Sequence, residues 1–243
     1  MIISTEAIVL KSFNYRETSK IVTFFTKNEG KVTGVLKGIR ANERKFGSHV
    51  DKFTVNDIVY YKYTKSELHL VSQADLRQYY FAVRQDYKRN MAANYCCELV
   101  DIIMHLEMKN LKVYELMLDY FSSLETVKDI DKLVHILQIK LLHLSGFSPH
   151  LDSCVKCGKK VSGKARFSMA SGGLICSSCP TIENSFSIIS NGAVSSILHV
   201  EQRSFSDSLR LGLTNAVKKE LRLTLNNFLV FHLEKKIRTS KYL

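Results

Sequence analysis

The sequence predicts an α+β protein in which strands come first, helices follow, and a cysteine-rich insertion interrupts the helical part. Three observations carry this. Residues 1–80 hold short runs rich in Val, Ile, Thr, Tyr and Phe, split by polar turns. From Phe81 the apolar residues recur at three- and four-residue steps. Between about 150 and 185 that periodicity stops, and four cysteines appear in a loop-like stretch.

The predicted strands are IVLKSF, KIVTFFTK, KVTGVLKG, DIVYYKYT and ELHLVSQA. Turn signals such as Lys27-Asn28-Glu29-Gly30 separate them. Five strands this short leave exposed edges unless the sheet closes on itself. A five-stranded OB-type barrel is the natural solution, and an SH3-like barrel is the runner-up.

Helical periodicity then runs through Tyr87, Met91, Tyr95, Leu99, Ile102, Ile103 and Leu106, and continues from Leu111 to Phe121. Asp131 is the expected N-cap of a third helix, with Gly146 as its stop and Pro149 just beyond. Further helices are expected at about 191–202 and 206–237. The predicted organisation is a barrel domain over 1–80 and a helical domain over 81–243, interrupted by the insertion at about 150–185. Cys96 and Cys97 point in different directions from adjacent helical positions, so they read as small buried residues rather than a bridge.

The chain of 243 residues carries a net charge of +12, which favours a polyanionic partner. The charge is uneven: residues 1–80 hold 13 Lys/Arg against 8 Asp/Glu, residues 81–150 hold 8 against 9, and residues 151–243 hold 14 against 6. No apolar run is long enough to span a bilayer. The start MIISTEAIVLKSF lacks a basic region followed by an apolar core and cleavage site, so no signal peptide and a cytoplasmic location are expected.

The most specific local signal is Cys154-x2-Cys157, 18 intervening residues, then Cys176-x2-Cys179. Each short pair can offer two thiolates to one side of a tetrahedral ion, which predicts a structural zinc site filled by four sulfurs. In a reducing compartment two disulfides are disfavoured. CVKCGKKVSGKA also approaches a phosphate-binding loop through Gly158, Gly163 and Lys164. Ala165 replaces the required hydroxyl, and neither a preceding strand nor a following helix is present in the pattern. His150 lies near in sequence and reads as incidental. No nucleophile motif and no acid–base pair stands out, which points away from an enzyme.

KGIRANERKFG places Lys37, Arg40, Arg44 and Lys45 on a loop between the third and fourth strands, where they can track a phosphate backbone, with Arg16 near an earlier turn. Phe46, Tyr60, Tyr61 and Tyr63 are the candidate stacking rings, although strand alternation sends at least half of the tyrosines to the core. Lys156, Lys159, Lys160, Lys164 and Arg166 form a basic zinc knuckle, of which Lys159 and Lys160 are candidate DNA contacts. Lys218, Lys219 and Arg222 form another candidate cluster. Lys235, Lys236, Arg238 and Lys241 end the last helix, where they complement its dipole.

Together these stretches resemble the RecO family of bacterial recombination mediators. YRETSKIVTFFTKNEGKVTGVLKGIR is similar to the family's barrel opening, SQADL to its close, GFSPHLDSCVKCG to the entry into its zinc site, FSMASGGLICSSC to the exit, and LRLTLNNFLVFHLEKKIRTSKYL to its last helix. Ser19 after Glu17-Thr18, and Lys52 before Phe53, depart from the usual family residues.

The resemblance implies a non-enzymatic protein of the bacterial nucleoid that binds single- and double-stranded DNA and anneals complementary strands. It also implies that, with RecR, such a protein helps RecA replace single-stranded DNA-binding protein, whose acidic C-terminal tail docks on the helical domain. Three other classes fit the residues alone: an RNA-binding or translation-associated barrel with a zinc ribbon, a nucleic-acid-modifying enzyme with catalytic zinc, and a protein–protein adaptor.

Overall fold

The computed structural model describes residues 1–40, 50–161, 165–180 and 186–243. The chain forms two compact units, residues 1–127 with 241–243, and residues 128–240.

The first unit is built on a closed barrel of five strands, β1 (Ile2–Tyr15), β2 (Ser19–Thr26), β3 (Gly30–Leu36), β4 (Val55–Tyr61) and β5 (Leu68–Gln78), in the order β1-β2-β3-β5-β4. The topology is OB-fold-like. All pairings are antiparallel except β3 with β5. β1 is longer than its apolar run predicts because it serves two neighbours. Its first half pairs with β4 and its second half with β2. The register with β2 steps between Val9 and Lys11, a bulge of the kind that bends a strand around a barrel corner. Ala7, Val9, Val22, Phe24, Val32, Leu36, Ile58, Tyr60, Val71 and Ala74 fill the interior.

Ile8, Leu10 and Phe25 are buried as well, so part of the outer face is covered. The cover comes from helices α1 (Phe81–Gln85), α2 (Tyr87–Ile103) and α3 (Leu111–Thr126). Phe25 meets Tyr114 of α3 at 6.5 Å between ring centres. The Asp86 and Asn110 side chains accept from the amides of Arg89 and Val113 and cap α2 and α3. Cys96 and Cys97 are buried free thiols, as expected. Gly30 has φ +72°, and a Cβ there would lie 2.4 Å from the Met108 carbonyl carbon and oxygen.

The second unit holds α4 (Ile130–Leu144), β6 (Ala165–Ser168), β7 (Gly173–Ile175), β8 (Phe186–Ile189), α5 (Asn191–Gln202), α6 (Phe205–Ser208) and α7 (Asn215–Leu233). The N-cap of α4 is Asp129, not Asp131: its carboxylate accepts from the amide of Lys132 at 3.1 Å. That lets Ile130 and Leu133 enter the core, while Asp131 sits in the first turn facing the helix dipole. The α4 stop is as expected. Gly146 takes φ +79°, its amide bonds the His143 carbonyl, and the Phe147 amide bonds that of Leu142.

The helix expected over 206–237 is broken in two. Thr214 accepts from the Val217 amide and starts α7 anew after Gly212. The buried Lys140 amine binds the carbonyls of Glu201 and Arg203, holding the turn that separates α5 from α6, and that of Lys132 binds the Leu209 carbonyl just past α6. Among the described residues no helix is long and apolar enough to cross a membrane.

Candidate metal centre and nucleic-acid interface

The cysteine-rich segment is a small sheet of order β7-β6-β8 carrying two knuckles. In the first, the Gly158 amide bonds the Cys154 carbonyl at 2.9 Å, and the Cys154 amide bonds the Lys159 carbonyl at 2.9 Å. Gly158 takes φ +70°, the left-handed conformation that lets the chain fold back under the thiolates. The Val155 amide joins this knuckle to Leu174 at the root of the second one. There, the Cys176 amide donates to the Cys154 sulfur at 3.4 Å, and the Cys179 amide to the Cys176 carbonyl at 3.4 Å.

The sulfurs of Cys154, Cys157, Cys176 and Cys179 all lie within 4.8 Å of one another. Cys154 and Cys179 are 3.9 Å apart, and Cys157 and Cys176 3.7 Å apart. Four thiolates around an ion at ~2.3 Å would be separated by about 3.8 Å, so the set fits a tetrahedral metal ion. Burial opposes ionisation of Cys154, yet amides of Cys176, Cys157 and Lys156 outweigh it and bring the thiol down to about 6. Cys179 is pushed up to about 12 by its contacts with Cys157 and Cys176. Thiolates crowded this closely need a cation to neutralise them. His150 stands outside the set, its Nε2 2.8 Å from the Ser153 hydroxyl.

Arg166 is not the exposed phosphate contact expected of the knuckle. Its guanidinium donates to the carbonyls of Cys176 and Cys179, bracing the second pair. Lys156 likewise reaches the Pro180 carbonyl at 2.7 Å. Lys159 and Lys160 are exposed. Gly163 and Lys164 lie outside the described residues. Ala165 opens a strand rather than the helix a phosphate loop requires.

At one end of the barrel, Arg16 sits in the β1–β2 turn with φ +52°, its guanidinium 5.2 Å from the Tyr15 ring centre. The chain leaving β3 is fastened to that turn: the Arg40 amide donates to the Thr18 carbonyl at 3.0 Å and its guanidinium to the Arg16 carbonyl at 3.4 Å. Arg16, Lys37 and Arg40 are exposed and gathered by this tie. Arg44, Lys45 and Phe46 lie outside the described residues.

The tyrosines do not join this group. Tyr60 is fully buried against His69, because β4 alternation sends it to the core. β4 runs away from the loop, with Tyr61 opposite Ile2. Tyr63 therefore lies at the other end of the barrel, beside a cleft of about 470 Å³ lined also by Lys31, Thr33, Lys65 and His69. The rings that do accompany the cations are Phe13 and Tyr15, exposed by 52% and 36%. The signal was present in SFNYR, an aromatic pair at period two ending in arginine.

In the second unit, Lys219 and Arg222 are exposed on α7, whereas Lys218 is half-buried and paired with Asp129 at 2.5 Å. Lys218 thus secures the N-terminus of α4 instead of facing solvent.

The family model for the recombination protein O N terminal matches residues 1–80, and that for the recombination protein O C terminal matches residues 84–241. Similar curated proteins include the DNA repair protein RecO of Alkaliphilus metalliredigens, 29% identical over 97% of this chain and 95% of that protein. The RecO of Desulfatibacillum aliphaticivorans is 28% identical over 99% and 96%, and that of Syntrophus aciditrophicus is 26% identical over 98% and 94%. With both models matched in order along nearly the whole length, on an OB-fold-like barrel followed by helices and a four-cysteine cluster, the chain belongs to the RecO family.

Proposed function

We propose that this chain is a DNA repair and recombination mediator that holds single strands by their phosphates, anneals complementary strands, and with RecR helps RecA onto DNA coated by single-stranded DNA-binding protein. The observation that carries the reading is the tie between Arg40 and the β1–β2 turn, which gathers Arg16, Lys37 and Arg40 at one end of an OB-fold-like barrel. A barrel loop bearing exposed cations suits a polyanion of any sequence.

The division of labour follows the sequence: residues 1–80 for nucleic acid, and residues 81–243 for partner docking and a second basic surface. Arg44 and Lys45 continue the barrel site, while Lys159, Lys160, Lys219 and Arg222 offer further phosphate contacts. Lys218 contributes by holding the helix that carries Lys219 and Arg222. The partners are single- and double-stranded DNA, RecR, the acidic tail of single-stranded DNA-binding protein and, indirectly, RecA, in the bacterial cytoplasm and at the nucleoid.

The metal is zinc, held by Cys154, Cys157, Cys176 and Cys179. It supplies a structural cross-link and no chemistry on substrate, because four thiolates leave no position for water.

Annealing needs no nucleotide hydrolysis. Base pairing supplies the free energy, while the protein screens phosphate repulsion and raises local strand concentration. The test mixes complementary strands precoated with single-stranded DNA-binding protein, with and without this protein and without ATP. Duplex should form only in its presence. Equal rates in both arms refute the annealing role.

A further inference from the structure

The bulge at Val9–Lys11 sets the parity of the rest of β1. Ser12 opposes Val22 and shares the barrel interior with it, so Phe13 and Tyr15 face outward. Phe13 opposes Ile21, Ile21 opposes Val35, and Val35 opposes Leu70. An apolar row thus crosses four strands on the outer face. It is most open at its Phe13 end and half-buried at Ile21, Val35 and Leu70. Tyr15 stands two residues beyond Phe13 on the same side, about 7 Å further along the strand. Arg16 leans over the Tyr15 ring, the Arg40 guanidinium bonds the Arg16 carbonyl, and Lys37 follows Leu36, which opposes Lys20 just past the same turn.

We propose that Phe13 and Tyr15 form the base-stacking platform of this barrel, each ring taking one base of a single strand whose phosphates run along Arg16, Lys37 and Arg40. The assignment rests on the DNA-binding reading above and adds to it the groups that read bases rather than phosphates. Charge decides the occupant. Along residues 11–23 and 30–40 the chain carries six cations, Lys11, Arg16, Lys20, Lys31, Lys37 and Arg40, against one acid, Glu17. Lys11 and Lys31 are engaged by Asp101 and Lys20 by Asp51, which leaves Arg16, Lys37 and Arg40 beside the rings. An exposed aromatic pair rimmed by cations matches an unstacked nucleic-acid strand, whose bases offer π-faces and whose backbone offers charge. A duplex hides those faces, so the platform favours single strands.

The experiment compares the whole protein with Phe13→Ala, Tyr15→Ala and the double variant. Binding is measured to labelled oligothymidylate, to the same strand with abasic sites, and to duplex. The double variant should bind the intact strand roughly 30- to 1000-fold more weakly, within the range for losing two stacked bases. Its salt dependence and its duplex affinity should stay unchanged. Abasic sites should weaken the wild type and leave the double variant indifferent.

The chain has no tryptophan, so Phe13→Trp places a single indole at the platform, and its emission should be quenched by the strand and not by duplex. Wild-type binding equal on intact and abasic strands, with unweakened alanine variants, overturns the platform and leaves the rings to a protein partner. No binding by the wild type overturns the DNA-binding reading itself.

Discussion

The amide of Arg40 donates to the carbonyl of Thr18 at 3.0 Å, fixing the chain that leaves β3 against the β1–β2 turn. Two segments more than twenty residues apart thereby present one basic edge. Charge on this edge is exposed and contributes little to folding, so reversing it separates binding from stability. Arg16→Glu with Arg40→Glu should weaken single-strand binding at low salt and flatten the log–log salt slope by about 0.7 for each phosphate that is no longer neutralised. The melting temperature should stay put. Binding titrations at several salt concentrations, with a thermal scan, test both halves.

Metal removal should be legible in thiol chemistry. The chain has six cysteines, four in the cluster and two buried in α2. A metal bound by the four thiolates would shield the cluster, while burial raises Cys97 to about 12 and Cys96 well above its ordinary value, which suppresses their thiolates. Under native conditions no thiol should react quickly with an aromatic disulfide reagent. Strong chelation should release the four cluster thiols, and denaturant the remaining two. Mass spectrometry of the labelled protein assigns them. Hydrogen exchange should rise after chelation in the described parts of 150–189 and stay unchanged in the barrel.

Two glycines give a matched pair for backbone strain. Gly30 and Gly38 have similar positive φ, +72° and +75°, but of the two, among the described residues, only Gly30 has backbone in the way of a Cβ. Gly38→Ala should cost about 1 kcal/mol in urea unfolding, from left-handed strain alone. Gly30→Ala should cost about 3 kcal/mol or more, because the Met108 segment must move as well. Equal losses would mean that the segment 105–109 yields freely.

Acid sensitivity should report the Asp129–Lys218 pair. Burial pushes Asp129 upward, but the Lys218 ammonium and the Lys132 amide outweigh it and hold the carboxyl below its ordinary value of 3.8. A depressed folded pKa means the pair stabilises fully above the unfolded value and fades as pH falls through the folded one. Asp129→Asn keeps a good cap and removes the charge. It should cost about 0.5 kcal/mol at neutral pH, discounted for partial exposure. The difference from wild type should close below pH 4. Urea unfolding at pH 7 and pH 3 measures it.

Much of this was written plainly in the chain. The β-branched and aromatic runs KIVTFFTK and KVTGVLKG, bounded by turn signals, placed two barrel strands, and the cysteine spacing placed the cluster, because composition and ligand spacing are local properties. Parity was harder. The step between Val9 and Lys11 reverses which side of β1 faces water, so Phe13 and Tyr15 look no different in sequence from the core residues Ile8 and Val9. Partner choice was harder still. Arg166 and Lys218 read as surface cations, and only tertiary contact shows one bound to cysteine carbonyls and the other to Asp129. Asp129 and Asp131 are chemically equivalent caps, and the need to bury Ile130 and Leu133 chose between them.

The parallel seam between β3 and β5 also has a consequence at the ribosome. β3 is complete at Leu36, but the strand that covers its free side begins only at Leu68. At roughly 5–20 residues per second, a nascent chain carries an uncapped β3 for several seconds before the ring can shut. Throughout that interval two polysomal neighbours can zip together along the bare edge, so this seam is where slowed translation or a crowded polysome would first turn synthesis into aggregation.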